Sequence, residues 1–169
     1  MSDATTVARL TRLLVECAVE RRALDRLAEE LAEHCQAAGQ GKPMSRAELS
    51  LACVDLHGYY TALESMLERI ARVVDRELPE GPHWHSELIV QMTLELPGIR
   101  PPVLPAGSLP ELDELRRFRH FFRNVYVLDA DPEHVLTHAQ RVVQLHSELT
   151  VSLDGFEAFA RGLVRALTP

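Results

Sequence analysis

Cysteine is scarce in this chain: Cys17, Cys35 and Cys53 are the only three in 169 residues, and none forms the C-x-x-C spacing of a zinc or redox site. An odd number of cysteines in helix-like segments reads as free thiols, which fits a reducing cytosol. Long apolar runs are missing too. No stretch reaches the roughly eighteen apolar residues that a membrane span needs, and the opening "MSDATTVARL" has no basic region followed by an apolar one. A cytoplasmic protein without a membrane partner is expected. Positive charge is also in deficit, with Lys+Arg 18 against Asp+Glu 25 and a formal net charge of -7. The molecule as a whole therefore repels nucleic acid and anionic lipid, and any anion binding has to be local. There is no Walker loop, no Gly-rich dinucleotide fingerprint and no G-x-S-x-G elbow. Nucleotide-kinase and serine-hydrolase readings are left without support, and no cofactor is expected. Nowhere do apolar and polar residues alternate with the β-branched enrichment of a strand, and no repeat of fixed period occurs.

What is present is helical periodicity. The hydrophobic content of 46% over 169 residues is enough for one domain, spanning 1–169, with a sizeable core. Val7, Leu10, Leu14, Cys17, Leu24, Ala28, Leu31 and Cys35 keep three-four spacing, interrupted only at Arg21, and predict a long amphipathic helix over 7–35. Two glycines and a proline in "AAGQGKPMS" end it. Ser45 and Glu48 then have the spacing of a capping box, opening a second long helix over about 46–77. Its apolar positions run from Leu49, Ala52 and Leu56 through Tyr60, Leu63 and Leu67 to Ile70 and Val74. A shorter helix is expected around 85–96. The stretch "PGIRPPVLPAGSLP" carries five of the ten prolines, which rules out regular structure and implies an ordered strap between helices. Ser108 and Glu111 repeat the capping-box spacing ahead of a fourth helix, and Asp131 with Pro132 starts a fifth that reaches toward Leu167. The expected fold is all-α, an up-and-down bundle of about five helices.

The fourth helix holds the chain's densest positive charge, "RRFRHFFRNVY" at 116–126. At 100° per residue Leu115, Phe118, Phe122 and Val125 share one arc and are expected in the core. Arg119, Arg123 and Tyr126 lie along the edge of that arc, with His120 and Asn124 one row farther round. Guanidinium forks bind phosphate bidentately and an imidazole can exchange a proton near neutral pH, so this face has the chemistry to hold a phosphodiester. Charge pattern alone fits equally a solvated face whose arginines pair with the glutamates of neighbouring helices.

The segment Arg119-His120-Phe121-Phe122-Arg123-Asn124-Val125-Tyr126 resembles the motif of the HEPN superfamily, most closely its HepT-like toxin branch: Arg, a polar residue, three variable residues, His, one more, and Tyr. "LHGYYTALESMLERIA" at 56–71 and "HWHSELIVQMTLELPGIRPPVL" at 83–104 are similar to flanking segments of the same branch. The resemblance implies a HEPN-like helical domain that forms a homodimer, places two motifs in a cleft at the subunit interface and cleaves RNA without a metal. It also implies a toxin–antitoxin pair in which a nucleotidyltransferase antitoxin adenylylates the motif tyrosine, here Tyr126. Arg119 would stabilise the phosphate, with Arg116 and Arg123 assisting in substrate binding. One departure stands out. Asn124 occupies the position of the motif histidine, and an amide orients groups by hydrogen bonds but cannot take a proton from a 2′-hydroxyl at physiological pH. His120, one turn earlier, could serve in its place, or a water ordered by Asn124. The competing readings are a HEPN module that binds RNA, nucleotide or a nucleotidyltransferase without cleaving, and an interaction protein whose arginines hold a dimer together.

Other histidines suggest less. His83 and His85 flank Trp84 but do not face the same way on a helix, so packing of Trp84 at a helix start is the expected role. His134 and His138 are four apart, too few ligands for a convincing metal site, and are expected on a polar face. Tyr60 keeps the apolar spacing and is expected in the core with a bonded hydroxyl, while His57 and Tyr59 are candidates to line a cleft.

Overall fold

Ser45 and Glu48 form the reciprocal cap that their spacing predicts: the Glu48 amide donates to Ser45 Oγ at 3.2 Å and the Ser45 amide to Glu48 Oε2 at 2.7 Å. Asp131 likewise accepts from the Glu133 amide at 3.2 Å, with Pro132 in the first turn. The computed structural model describes residues 3–41, 43–124 and 131–168, the side chains of 120–124 excepted. Among them are five α-helices and no strand: α1 Asp3–Gly39, α2 Arg46–Ile70, α3 Trp84–Thr93, α4 Leu109–Asn124 and α5 Pro132–Leu167. The all-α bundle expected from the periodicity is therefore observed. No helix of the described residues is long and apolar enough to cross a membrane.

Cross-helix pairs fix the directions. Arg69 on α2 reaches Glu16 at 3.3 Å and Glu20 at 3.1 Å on α1, while His34 on α1 meets Asp55 at 3.0 Å, so α1 and α2 run antiparallel. Arg21 and Asp25 on α1 meet Asp154 at 2.9 Å and His146 at 3.2 Å on α5, so these two are antiparallel as well. Arg21, the one interruption in the apolar stripe of α1, thus faces acids rather than the core.

Helix α2 is the centre of the bundle and packs against the other four. Tyr59, Tyr60, Ala62, Leu63, Glu64, Met66 and Leu67 are all buried, which no amphipathic helix with one solvated face would allow. Tyr59, expected in a cleft, is instead fully buried. Its hydroxyl donates to His146 Nδ1 at 3.0 Å, because the other ring nitrogen gives its proton to Asp25. Tyr60 is in the core as expected, its buried hydroxyl interacting with Glu64.

The α-helical part of α2 stops earlier than predicted. Residues Ala71–Asp75 form a π turn, closed by Arg76 in the left-handed region at φ 60°. The widened turn delivers Asp75 to the proline-rich strap, where Arg100 donates from Nε to Oδ1 at 2.6 Å and from Nη2 to Oδ2 at 2.7 Å. The same guanidinium caps the carbonyls of Gln91, Leu94 and Pro101 at 3.1, 3.0 and 3.2 Å. Leu96 and Arg100 exchange backbone hydrogen bonds at 3.0 Å, and the amides of Val103 and Leu104 both donate to the Met92 carbonyl. The strap is ordered, as its composition implied, and it enters α4 differently from the expected capping box. Ser108 lies in a 3-10 turn, buried, with its hydroxyl donated to the Pro105 carbonyl at 2.6 Å.

His146 and His138 are both pushed below the ordinary imidazole pKa of 6.5, chiefly by burial. A base whose folded pKa is depressed leaves stability intact above its unfolded value and loses it as pH falls toward the folded one. The melting temperature should therefore hold steady above about pH 6.5 and decline below it. In the double variant His138→Gln/His146→Gln that decline, followed by circular dichroism between pH 7.5 and 5, should shrink.

Candidate active site

Leu112, Leu115 and Phe118 turn the apolar face of α4 into the core, as the spacing required. That orientation carries Arg119 to the edge of α2. Its Nη2 lies 3.3 Å from Glu64 Oε2, and its Cζ stands 5.5 Å from the centroid of the Tyr60 ring. Both interactions favour a held guanidinium: a carboxylate on one side and a π face beneath. Arg119 Nε is nonetheless buried with no acceptor among the described residues. An interior N–H left in this state costs free energy that an incoming acceptor would recover.

Glu64 is the pivot of the site. Its side chain is only 7% exposed, and its second oxygen, Oε1, accepts from His85 Nδ1 at the start of α3. The His85 ring in turn stacks on Trp84, with centroids 3.7 Å apart. Trp84 packs against the core as expected, and it also presents His85 to the carboxylate. Burial and the negative charge of Glu64 push the Tyr60 phenol far above its ordinary pKa, so it stays protonated at any physiological pH.

The other described arginines of α4 find acids on their own helix. Arg116, expected to bind substrate, donates from Nε to Asp113 at 2.9 Å, and Arg117 pairs with Asp113 at 2.7 Å and Glu114 at 3.3 Å. Such partly exposed pairs are worth little and yield to a stronger anion. His120, Arg123 and Asn124 lie on α4 with their side chains outside the described residues, and Tyr126 lies outside them altogether. The core positions expected for Phe122 and Val125 fall there as well. Sequence reasoning assigned no functional role to Glu64 or His85. They are 21 residues apart, and no local spacing could have joined them.

Two sets of candidates are set aside by the geometry. His138 is not on a polar face: it is buried against the Phe118 ring at 5.1 Å, with its Nε2 2.9 Å from that of His134. The three cysteines are free, and burial raises each thiol, Cys17 to about 12 and Cys53 to about 11, which leaves no thiolate for nucleophilic chemistry near neutral pH.

A family model described as HepT-like protein matches residues 52–160, a span that contains Glu64, His85 and Arg119. Neither the curated proteins nor the solved structures compared with the chain gave a match.

Proposed function

The chain belongs to the HepT-like family, and from that premise we propose that it is the toxin component of a toxin–antitoxin pair, a metal-independent RNA endonuclease. The observation that carries this reading is the guanidinium of Arg119, the first residue of the motif, gripped by Glu64 and Tyr60 yet with a buried Nε donor still unfilled. A phosphate oxygen is the acceptor that such a fork fits best. In RNA cleavage by internal transesterification the 2′-oxygen attacks phosphorus, and negative charge builds on the equatorial oxygens. A fixed cation stabilises that charge without having to titrate. Arg119 takes this role, and Arg116 and Arg123 draw the flanking phosphates.

Residues 1–169 act in this reading as one cytoplasmic HEPN-like domain that works as a homodimer, each copy bringing its own motif to a shared cleft. The dimer would bring two arginine faces to one cleft, concentrating positive potential locally on a chain whose net charge is -7. Asn124 orients ribose or phosphate by hydrogen bonds and leaves the proton transfer to another group, His120 or an ordered water among them. Tyr126 is the acceptor through which a nucleotidyltransferase antitoxin would silence the enzyme by adenylylation.

The test is cleavage of a fluorescent tRNA pool by purified protein in EDTA. Wild type should cleave, and Arg119→Ala should cleave at least about 10²-fold more slowly. An inactive wild type beside an active Asn124→His would instead mark a module that binds without cutting, a reading favoured by Asn124 alone.

A further inference from the structure

Glu64 holds two groups at once, and the second of them has no role in the chemistry described so far. Because an ionised carboxylate only accepts, His85 must carry a proton on Nδ1, and its lone pair is therefore on Nε2. A base with its tautomer set by a buried acid, its ring plane set by an aromatic neighbour, and its side chain 28% exposed is prepared for proton transfer. The carboxylate that sets it also holds Arg119, so the candidate base and the phosphate-binding cation are bridged by one group.

We infer that His85 is the general base of RNA cleavage in this protein, with Glu64 as the residue that positions both His85 and Arg119. This rests on the ribonuclease reading above. Nε2 takes the proton of the 2′-hydroxyl as the 2′-oxygen bonds to phosphorus. The bond from phosphorus to the 5′-oxygen breaks, and the imidazolium returns its proton through water to that departing oxygen. The products are a 2′,3′-cyclic phosphate and a 5′-hydroxyl, with no metal or co-reactant consumed. Asn124 is then no defect, because the proton acceptor comes from α3 instead of α4.

The experiment compares wild type, His85→Ala, His85→Asn and His120→Ala on the fluorescent tRNA pool in EDTA, with RNA affinity and circular dichroism measured alongside. His85→Asn keeps a donor for Glu64 and has no titrating nitrogen, so it separates lost chemistry from lost packing. The expected result is a fall of about 10²-fold or more in both His85 variants at unchanged affinity and fold, recovery of His85→Ala with added imidazole, and a smaller effect of His120→Ala. Cleavage at the wild-type rate in His85→Asn would overturn the assignment and leave the ribonuclease reading standing. A loss that imidazole does not restore in a folded His85→Ala would also overturn it, as would full loss in His120→Ala alone. A wild type that cleaves nothing would remove both readings together.

Discussion

Arg119→Ala should lose RNA cleavage by about 10²–10³-fold, the scale on which single charge-stabilising donors act in transition states. The guanidinium is held on two sides, by Glu64 at 3.3 Å and by the Tyr60 ring at 5.5 Å, so it pays little entropy when a phosphate arrives. The loss should appear mainly in the chemical step, with RNA affinity weakened less. Arg119→Lys discriminates charge from shape: a point charge keeps attraction for RNA but cannot reproduce the fork, and it should recover binding better than turnover. Removal of Arg119 also leaves the buried Glu64 carboxylate without its guanidinium, so some destabilisation is expected. Glu64→Gln/Arg119→Met should restore stability without restoring cleavage, which single-turnover assays and thermal melts would separate. Equal cleavage by wild type and Arg119→Ala would sink the site.

The largest effect on stability is expected at Arg100, which has no contact with Glu64, His85 or Arg119 among those described. The Asp75 and Arg100 side chains are 3% and 0% exposed, and five hydrogen bonds of the guanidinium join the π turn, the end of α3 and the strap. Arg100→Met leaves the buried Asp75 carboxylate without its cation and with only the Gln91 amide at 2.7 Å as a described donor, a change that costs about 3–5 kcal/mol. For a domain of this size that lowers the melting temperature by on the order of 10 °C. Asp75→Asn/Arg100→Met should recover part of the loss, because the stranded charge is gone. A thermal melt of Arg100→Met within a degree or two of wild type would show that the strap is held by its apolar contacts alone.

Some of this was legible in the sequence and some was not, and the difference is one of range. Ser45 with Glu48 and Asp131 with Pro132 lie within one turn, so local chemistry decides them and the caps fall where spacing puts them. The stripe of α1 and the prolines of the strap are local in the same way. Ser108 misled because its hydroxyl had a nearer carbonyl, that of Pro105. Helix α2 misled more broadly. A one-sided periodicity assigned Tyr60 to the core and Tyr59 to a cleft, but a helix surrounded by four others buries both. The contacts that define the site, Glu64 with His85 and Glu64 with Arg119, join residues 21 and 55 positions apart. They follow from how α3 and α4 are laid against α2, which no short window contains. The motif singles out Arg119 as a candidate, but it carries no sign of the contacts with Glu64 and Tyr60.

The sharing of one carboxylate by two helices bears on how this protein can change over generations. Glu64, His85 and Arg119 do not offer three independent routes for drift, because loss of the acid leaves the Arg119 guanidinium and the His85 Nδ1–H without their shared acceptor, and loss of either donor leaves the buried acid underpaired. Any lineage that replaces one of them crosses a less stable intermediate before a second substitution compensates. The three positions should therefore be inherited as a unit, tighter than the cores of the helices that carry them, where one aliphatic side chain can stand in for another.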